Sequence, residues 1–339
     1  MLAVVCASMV LGCRRSAPTP SPAPTPSGPG IDATMAPPAA QPLRVLWQSD
    51  SRLGRVFVVA EGGLRILRFG KATAEDQSAF DPKRPHHEPL EYVRMALLGF
   101  AFTKKPKRVL MVGLGGGSFL RHARRWAPGA IFEAVEINPV VVQACKKWFG
   151  FERAGRVSVH VTDGRRFVQK QLAAVHRYDL VFLDAYDAVD YPRHLGTREF
   201  FTEVRRILAL GGVVVANLSP NAADMRDALV RTFSDALGPT VCFYAPVAGN
   251  TVVVGGPGVA HSKPAALAAR IKVLHRHTGR SLKLMTHAAQ RCPFSVDRAP
   301  LLVDPRPEPL GPAKQAPAKQ APARQAPAKQ APLKAASPR

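Results

Sequence analysis

The stretch Val109-Leu110-Met111-Val112-Gly113-Leu114-Gly115-Gly116-Gly117-Ser118 decides the fold class of this chain. Four apolar residues, typical of a buried parallel strand, run directly into a turn in which four of five residues are glycine. The helical pattern from Phe119 to Trp126 follows. Glycines let a backbone approach a ligand closely, and a helix start offers unpaired N–H groups. This strand–turn–helix unit therefore predicts the mouth of a nucleotide site.

Three further apolar runs end in acidic residues. Residues 130–135 run into Glu136, residues 157–161 are followed by Thr162-Asp163-Gly164, and residues 178–183 are followed by Asp184-Ala185-Tyr186-Asp187. A carboxylate about 20 residues past a glycine turn is placed to accept ribose hydroxyls. One strand-end Asp alone could equally cap a helix, but the series favours a ligand site. The alternating elements predict an α/β fold with a doubly wound, Rossmann-like sheet.

The order and spacing of these segments resemble the spermidine synthase-like family of polyamine aminopropyltransferases, which has the class I S-adenosylmethionine-dependent methyltransferase fold. The resemblance covers residues 43 to about 256. It implies a transferase of polyamine biosynthesis that uses S-adenosylmethionine or decarboxylated S-adenosylmethionine as co-substrate. The matching segments are the glycine turn and residues 135–138, 163–164, 184–187, 192–200 and 211–215, with weaker matches at 63–70, 77–78 and 91–95.

The resemblance also implies a role for each residue of the site. Asp184 resembles the catalytic base, and Glu136 and Asp163 resemble the residues that bind the ribose and the adenine amino group. The remaining cofactor-binding residues are Gln77, Gly113, Gly115, Gly117 and Gly164, and the substrate-binding residues are Tyr92, Tyr186 and Asp187.

The chemistry of such a transfer explains the need for a carboxylate. A neutral nucleophile attacks a carbon next to a positive sulfur, and a protonated amine has no lone pair until a base removes its proton. The acidic cluster Asp184, Asp187 and Asp190 would also attract a small-molecule amine in a chain of net charge +23. No His/Cys spacing indicates a metal, and residues 86–88 are interpreted as a surface or substrate loop.

The chain departs from the family pattern in two places. Gly116 stands where spermidine synthases carry an Asp in the glycine turn, and the family's Tyr-His-Glu triplet is here Tyr92-Val93-Arg94. Both changes remove an acidic residue, so they weaken the negative charge that a tunnel for a cationic polyamine needs. Three functions therefore stay open: an aminopropyltransferase, a methyltransferase acting on an amine or another nucleophile, and a catalytically inactive, membrane-tethered nucleoside-binding protein. An NAD dehydrogenase is disfavoured because its third glycine is here Ser118.

The two ends of the chain have their own composition. Residues 1–13 form an apolar leader in which Val10-Leu11-Gly12-Cys13 resembles a lipobox. An acylated Cys13 would make this an exported, membrane-anchored lipoprotein, whereas a mis-assigned start would leave it cytoplasmic. Residues 14–42 are a Pro-rich linker. Residues 311–339 repeat Pro, Ala, Lys and Gln and predict a disordered basic tail, which either contacts polyanions or only solubilises.

The sequence predicts two domains between these ends. Residues 43–88 form a β-hairpin domain, through which the chain would homo-oligomerise, and residues 89–290 form the methyltransferase-like domain; residues 291–310 stay unassigned. We expect an amphipathic helix over 89–103, helices over 221–237 and 263–277, and a hairpin of strands 240–244 and 251–255. Cys145 is expected in the core, and Cys242 and Cys292 could pair in an oxidising compartment.

Overall fold

The computed structural model describes residues 42–151, 156–187, 190–219, 223–245, 249–278, 292 and 295–305. The predictions for the leader with Cys13, for nearly all of the Pro-rich linker and for the basic tail lie outside the described residues. Within the described ranges, no helix is long and apolar enough to cross a membrane.

A four-stranded antiparallel sheet opens the described chain, with strand order β1-β2-β3-β4. This confirms the β-structure expected in this region. One face of the sheet buries Val56, Val58 and Leu67 against Val141, in the helix Pro139–Trp148, and against Phe149, the residue after that helix. The strands are β1 (Arg44–Ser51), β2 (Gly54–Glu61), β3 (Leu64–Phe69) and β4 (Ser78–Phe80).

The single helix expected over 89–103 is wrong. The chain instead forms α1 (Glu91–Ala96) and then a 3-10 helix (Leu97–Phe102). All six residues of the 3-10 helix are buried, so this segment has no polar face. A Cβ on Gly99 would overlap the Val215 side chain, which shows how closely the backbone packs on the sheet.

The second sheet has seven strands in the order β10-β11-β9-β8-β5-β6-β7. Strands β5 to β9 are parallel, and β11 and β10 add antiparallel to β9, which confirms both the doubly wound sheet and its closing hairpin. The strands are β5 (Arg108–Val112), β6 (Ile131–Glu136), β7 (Val157–Val161), β8 (Tyr178–Leu183), β9 (Leu208–Asn217), β10 (Thr240–Tyr244) and β11 (Thr251–Gly255).

Helices cover both faces of this sheet and enclose two large apolar clusters. Three of them begin at a side chain that caps the first N–H groups: Asn138 before α3, Asp163 before α4 and Thr197 before α5. The helices are α2 (Ser118–Trp126), α3 (Pro139–Trp148), α4 (Gly164–Gln171), α5 (Arg198–Arg206), α6 (Ala223–Leu237), α7 (Pro257–Ala260) and α8 (Pro264–Thr278), with a 3-10 turn at Arg193–Leu195.

Residues 295–305, for which the sequence predicts no role, lie along the outer helices. Leu302 N–H donates to Thr232 Oγ1 (2.9 Å), and Asp304 pairs with Arg165 of α4 (2.6 Å). A disulfide joins Cys292, shortly before this segment, to Cys242 in β10. The pairing of these two cysteines, which the sequence left open, is therefore present. Cys145 is buried and free, as expected.

Replacing Cys242 and Cys292 together by Ser is expected to lower the free energy of unfolding by about 2–4 kcal/mol, because the bond spans 50 residues of sequence. Urea unfolding under non-reducing conditions measures this difference. Dithiothreitol should lower the midpoint of the wild-type chain and leave that of the double variant unchanged. Equal midpoints for the two chains without reductant would contradict the prediction.

Candidate active site

The glycine turn lies where the strand order reverses, between β5 and β8. Gly113 N–H donates to Val135 O (2.8 Å), and Asp184 N–H donates to Val112 O (2.9 Å). Gly113 has φ +89°, and a Cβ there would overlap the Asp184 carbonyl oxygen. Gly115 has φ +52° and packs against Ser78 of β4. The turn therefore needs glycine both for its backbone conformation and for its close approach to the β8 end.

Glu136 holds the glycine turn to the end of β6. Its Oε2 accepts from the Leu114 N–H (3.0 Å) and its Oε1 from the Asn138 N–H (2.9 Å). Burial raises the pKa of this carboxyl, and the backbone N–H groups of Asn138 and Leu114 oppose the rise. The N–H groups of Gly115 and Ile137 oppose the rise as well, so the backbone already occupies most of the acceptor positions that a carboxylate offers. The contact of Glu136 with ribose stays a prediction.

Asp163 caps α4 by accepting from the Arg166 N–H (2.9 Å). Its other oxygen lies 2.8 Å from His194 Nε2, and His194 must donate because an ionised carboxylate only accepts. Burial alone would raise the pKa of Asp163, but the Arg166 N–H and His194 outweigh it and hold the pKa below its ordinary value. The sequence prediction missed this use of His194.

Asp184 lies at the end of β8 between two hydrogen-bond donors. Asn217 Nδ2 donates to its Oδ1 (3.0 Å), and the Tyr92 hydroxyl also bonds the carboxylate. Burial raises the pKa of Asp184 to about 6, although Asn217 and Tyr92 both favour the ionised form. A carboxyl with a pKa near neutrality accepts a proton more readily than an exposed one, which suits a general base.

A second layer of hydrogen bonds fixes Asn217. Ser219 Oγ donates to Asn217 Oδ1 (2.8 Å) and accepts from the Thr251 N–H (2.7 Å). The Tyr186 hydroxyl donates to Asn217 O (3.1 Å) and accepts from the Ser219 N–H (2.5 Å). Asn217 was not predicted, yet it is a polar residue at the carboxyl end of a strand, as Glu136 is. The rule that polar residues at strand ends mark the ligand site, applied above to the acids, also selects Asn217.

These residues surround one cavity of about 380 Å³. Gly117 is the one predicted nucleoside or substrate residue that does not line it; a Cβ there would meet Phe151 (2.7 Å) instead. Asp187 sits at its mouth, where its Oδ1 accepts from the Asp190 N–H (2.9 Å). The predicted residues that line the cavity are Gln77, Tyr92, Gly113, Gly115, Glu136, Asp163, Gly164, Asp184, Tyr186 and Asp187.

Comparisons with known proteins agree with this geometry. Residues 91–246 match the model of the spermine/spermidine synthase domain. A polyamine aminopropyltransferase of Vibrio vulnificus is 35% identical over 213 residues, which cover 62% of this chain and 71% of the relative. The chain belongs to the spermine/spermidine synthase family. It is therefore a member of an aminopropyltransferase family of transferases.

Solved structures show the same fold. A spermidine synthase in complex with the transition-state analogue AdoDATO aligns with a TM-score of 0.52 and 18% identity, over 64% of this chain and 73% of that one. Human methyltransferase-like protein 13 in complex with SAH aligns with a TM-score of 0.52 and 22% identity, over 56% of this chain and 92% of that one. At these identities the likeness concerns the fold alone.

The two departures from the spermidine synthase pattern have structural counterparts. A Cβ on Gly116 would lie 2.7 Å from Phe149 Cδ1 and 3.0 Å from Ser78 Cβ, so a carboxylate does not fit there without movement. The Arg94 guanidinium donates to Pro89 O (2.9 Å), in the loop before α1, and Arg94 is absent from the described cavity lining. The Arg94 change therefore acts outside the cavity, whereas Gly116 changes the turn itself.

Residues 86–88 divide between surface and interior. His86 is exposed, but Glu88 is fully buried and its Oε2 lies 3.2 Å from His122 Nε2. Of the two predicted roles, surface loop and substrate loop, the surface role is therefore wrong for Glu88. The other oxygen of Glu88, Oε1, accepts from the Leu90 N–H (3.1 Å), which satisfies part of the buried carboxyl. The described residues contain no group of three His, Cys, Asp or Glu side chains placed to hold a metal ion.

Replacing Asn217 by Ala is expected to move the acidic limb of the activity profile to higher pH by about one unit. The Asn217 N–H favours ionised Asp184, so its removal raises a pKa that already lies near 6. The dependence of kcat/KM on pH, which falls as Asp184 takes up a proton, measures the shift. Asn250→Ala, a matched change in the same cavity, should leave the limb in place. An unmoved limb in Asn217→Ala would contradict the assignment.

Proposed function

We propose that this protein transfers an aminopropyl group from decarboxylated S-adenosylmethionine to an amine acceptor, with Asp184 as the base. The observation that carries the proposal is the position of Asp184. Its carboxylate lies at the switch point of the sheet, bonded to Asn217 and Tyr92, with a pKa of about 6. It can therefore remain ionised at neutral pH and still accept a proton from an ammonium ion.

The excess of acidic residues in the cavity lining favours two positively charged substrates, a sulfonium nucleoside and an amine. Only two basic residues are found in its described lining: Arg55, which bonds Asp50, and His194, which bonds Asp163. A cavity with this balance attracts amines and disfavours the carboxylate of intact S-adenosylmethionine. The acidic lining residues are Glu75, Asp76, Glu136, Asp163, Asp184 and Asp187.

The described residues fit a nucleoside of this type. The turn of Gly113 and Gly115 provides a backbone cradle, and Glu136 lines the cavity beside it. Asp163 has an acceptor position left for the adenine amino group. When bound, the nucleoside supplies a carbon made electrophilic by a neighbouring sulfonium. Ile137, which is half exposed and lines the cavity, offers an apolar surface for the base.

Asp184 would remove the proton from the attacking amine. The amine nitrogen then forms its bond to carbon as the carbon–sulfur bond breaks, and the electron pair of that bond remains on sulfur as a neutral thioether. Asp184 keeps the proton until it exchanges with solvent at the cavity mouth, where Asp187 is exposed. Orientation by Tyr92 and Asn217 keeps the accepting oxygen fixed during this step.

Methyl transfer is the second candidate, because of the structure around Gly116. Phe149 and Ser78 fill the space in which a turn carboxylate would hold the aminopropyl ammonium. Without that carboxylate, one contact that distinguishes the decarboxylated cofactor from S-adenosylmethionine is lost.

Product analysis separates these functions. The full chain is incubated with each sulfonium cofactor and a panel of linear amines, and the nucleoside product is identified by mass spectrometry. Methylthioadenosine supports aminopropyl transfer, and S-adenosylhomocysteine supports methyl transfer. Nucleoside binding without either product would instead favour the inactive binding protein.

We also propose that the protein is exported and anchored through Cys13. The disulfide between Cys242 and Cys292 supports this, because stable disulfides are common in oxidising compartments and rare in the cytosol. A lipoprotein would need its nucleoside supplied outside the cytosol. Mass spectrometry of the mature N-terminus tests the proposal: an acylated Cys13 supports it, and a chain that begins at Met1 with free thiols at 242 and 292 contradicts it.

A further inference from the structure

A second cavity, of about 290 Å³, lies beside α2. Its lining includes Ala130 and Val157, which lie at the amino ends of β6 and β7, whereas the active site lies at the carboxyl ends of the strands. The two cavities share no described lining residue. The second cavity is therefore separate from the site of transfer.

Basic side chains from three segments converge on this cavity. Arg121, Arg124 and Arg125 come from α2, Arg156 precedes β7, and His86 comes from the loop before α1. Its described lining contains no Asp or Glu. Partial burial and the charges of Arg125, His122 and Arg121 hold the pKa of His86 below its ordinary value, as expected in a positive field. A neutral His86 can then accept from Arg125 Nη1, which lies 3.0 Å from its Nε2.

The helix dipole explains only part of this cluster. Arg124 and Arg125 lie in the last turn of α2, where basic residues are favoured by the partial negative charge. Arg156 and His86 belong to other segments, and Arg121 lies at mid-helix. Burial lowers the pKa of Arg121, and its buried Nε has no partner among the described residues. The other nitrogens of Arg121 donate to Phe149 O (2.9 Å) and Ser118 Oγ (3.0 Å), and its guanidinium lies over the Phe80 ring. Helix capping and this packing do not explain why Arg156, from another segment, lines the same cavity.

We infer that this cavity binds a phosphorylated small molecule through its phosphate group. Guanidinium groups match the oxygens of a phosphate with paired N–H donors, which makes arginine the side chain favoured for this class of ligand. The volume lies near the lower end of the range for ligand pockets, enough for a di- or triphosphate group. Phe132 and Phe151 add an apolar wall, against which the remainder of such a ligand would pack.

Calorimetric titration of the full chain with pyrophosphate tests the inference. We expect saturable binding tighter than about 1 mM. Arg124→Gln combined with Arg125→Gln should weaken it at least tenfold. Lys104→Gln combined with Lys105→Gln removes the same charge from exposed residues elsewhere and should not weaken it. Inorganic phosphate and ADP, titrated in parallel, distinguish an oxyanion site from a nucleotide site, and tighter binding of either pyrophosphate or ADP than of phosphate supports a phosphate site.

Three results would overturn the inference. They are no heat with any of the three ligands, equal weakening in the two double variants, and competition by S-adenosylhomocysteine, which would place the anion in the active site. Arg156→Gln, from a different segment, provides a second variant should the α2 substitutions lower the unfolding temperature. Unchanged pyrophosphate affinity in a folded Arg156→Gln chain would also count against the site.

Discussion

Replacing Asp184 by Asn is expected to lower the rate of transfer by about 10²–10⁴-fold while leaving nucleoside affinity nearly unchanged. Asn is of similar size and can keep the hydrogen bonds to Asn217 and Tyr92 after small rotations, but it cannot accept a proton from the amine. Stopped assays of product nucleoside at saturating amine measure the rate. Calorimetry with the product nucleoside measures the affinity.

Asp190→Asn is the matched control, since Asp190 lies in the same acidic loop but outside the described cavity lining. Its carboxylate accepts from the Tyr191 N–H. Its replacement therefore shows how much rate is lost when the loop is disturbed but the base is kept. We expect a much smaller loss of rate. An Asp184→Asn chain that turns over at the wild-type rate would exclude Asp184 as the base.

The same substitution has an expected effect on stability that reports correct folding. An Asp whose pKa is raised by folding favours its protonated form in the native state. Its ionisation therefore destabilises the fold above a pH of about 6, and the cost disappears below the ordinary pKa. Asp184→Asn removes that cost, so its unfolding temperature at pH 8 should equal or exceed that of the wild-type chain. Loss of activity together with a higher unfolding temperature is the signature of a catalytic residue.

The sequence was sufficient to predict the sheet and the residues at its edge. Apolar runs with acids at their ends placed Glu136, Asp163 and Asp184 correctly at one cavity, because parallel strands in a doubly wound sheet end together. The length of an apolar run and the type of residue at its end can both be read from a short stretch of sequence. The closing hairpin was predicted for the same reason, since its two strands follow each other in the sequence.

The contacts between distant segments were not predictable in this way. His194 reaches Asp163 across 31 residues, and Asn217 reaches Asp184 across 33. The Ser78 hydroxyl accepts from the Gly116 N–H (2.8 Å) across 38 residues. These pairs depend on side-chain positions fixed by packing, so neither spacing nor periodicity encodes them. The buried 3-10 helix was missed because a segment buried on every side has no period.

Replacing Gly113 by Ala is expected to lower the free energy of unfolding by more than about 3 kcal/mol and to abolish measurable nucleoside binding. Two costs add at this position. The backbone has φ +89°, which side chains rarely adopt, and the new methyl group would overlap the carbonyl oxygen of Asp184. Because that carbonyl belongs to the backbone, relief requires moving the glycine turn away from the β8 end. Urea unfolding and calorimetry with S-adenosylhomocysteine measure the two effects.

Gly62→Ala separates the two costs. Gly62 also has positive φ (+56°), but no atom lies within 4 Å of the position its Cβ would take, in the turn between β2 and β3. Its replacement should lower the free energy of unfolding by about 1–2 kcal/mol, the cost of a side chain at positive φ, and leave nucleoside affinity unchanged. An equal loss of unfolding free energy in the two variants would show that the contact between the new methyl group and the Asp184 carbonyl oxygen contributes nothing. Wild-type affinity in Gly113→Ala would mean that the nucleoside does not use the turn, and would remove the structural basis for placing the reaction at this cavity.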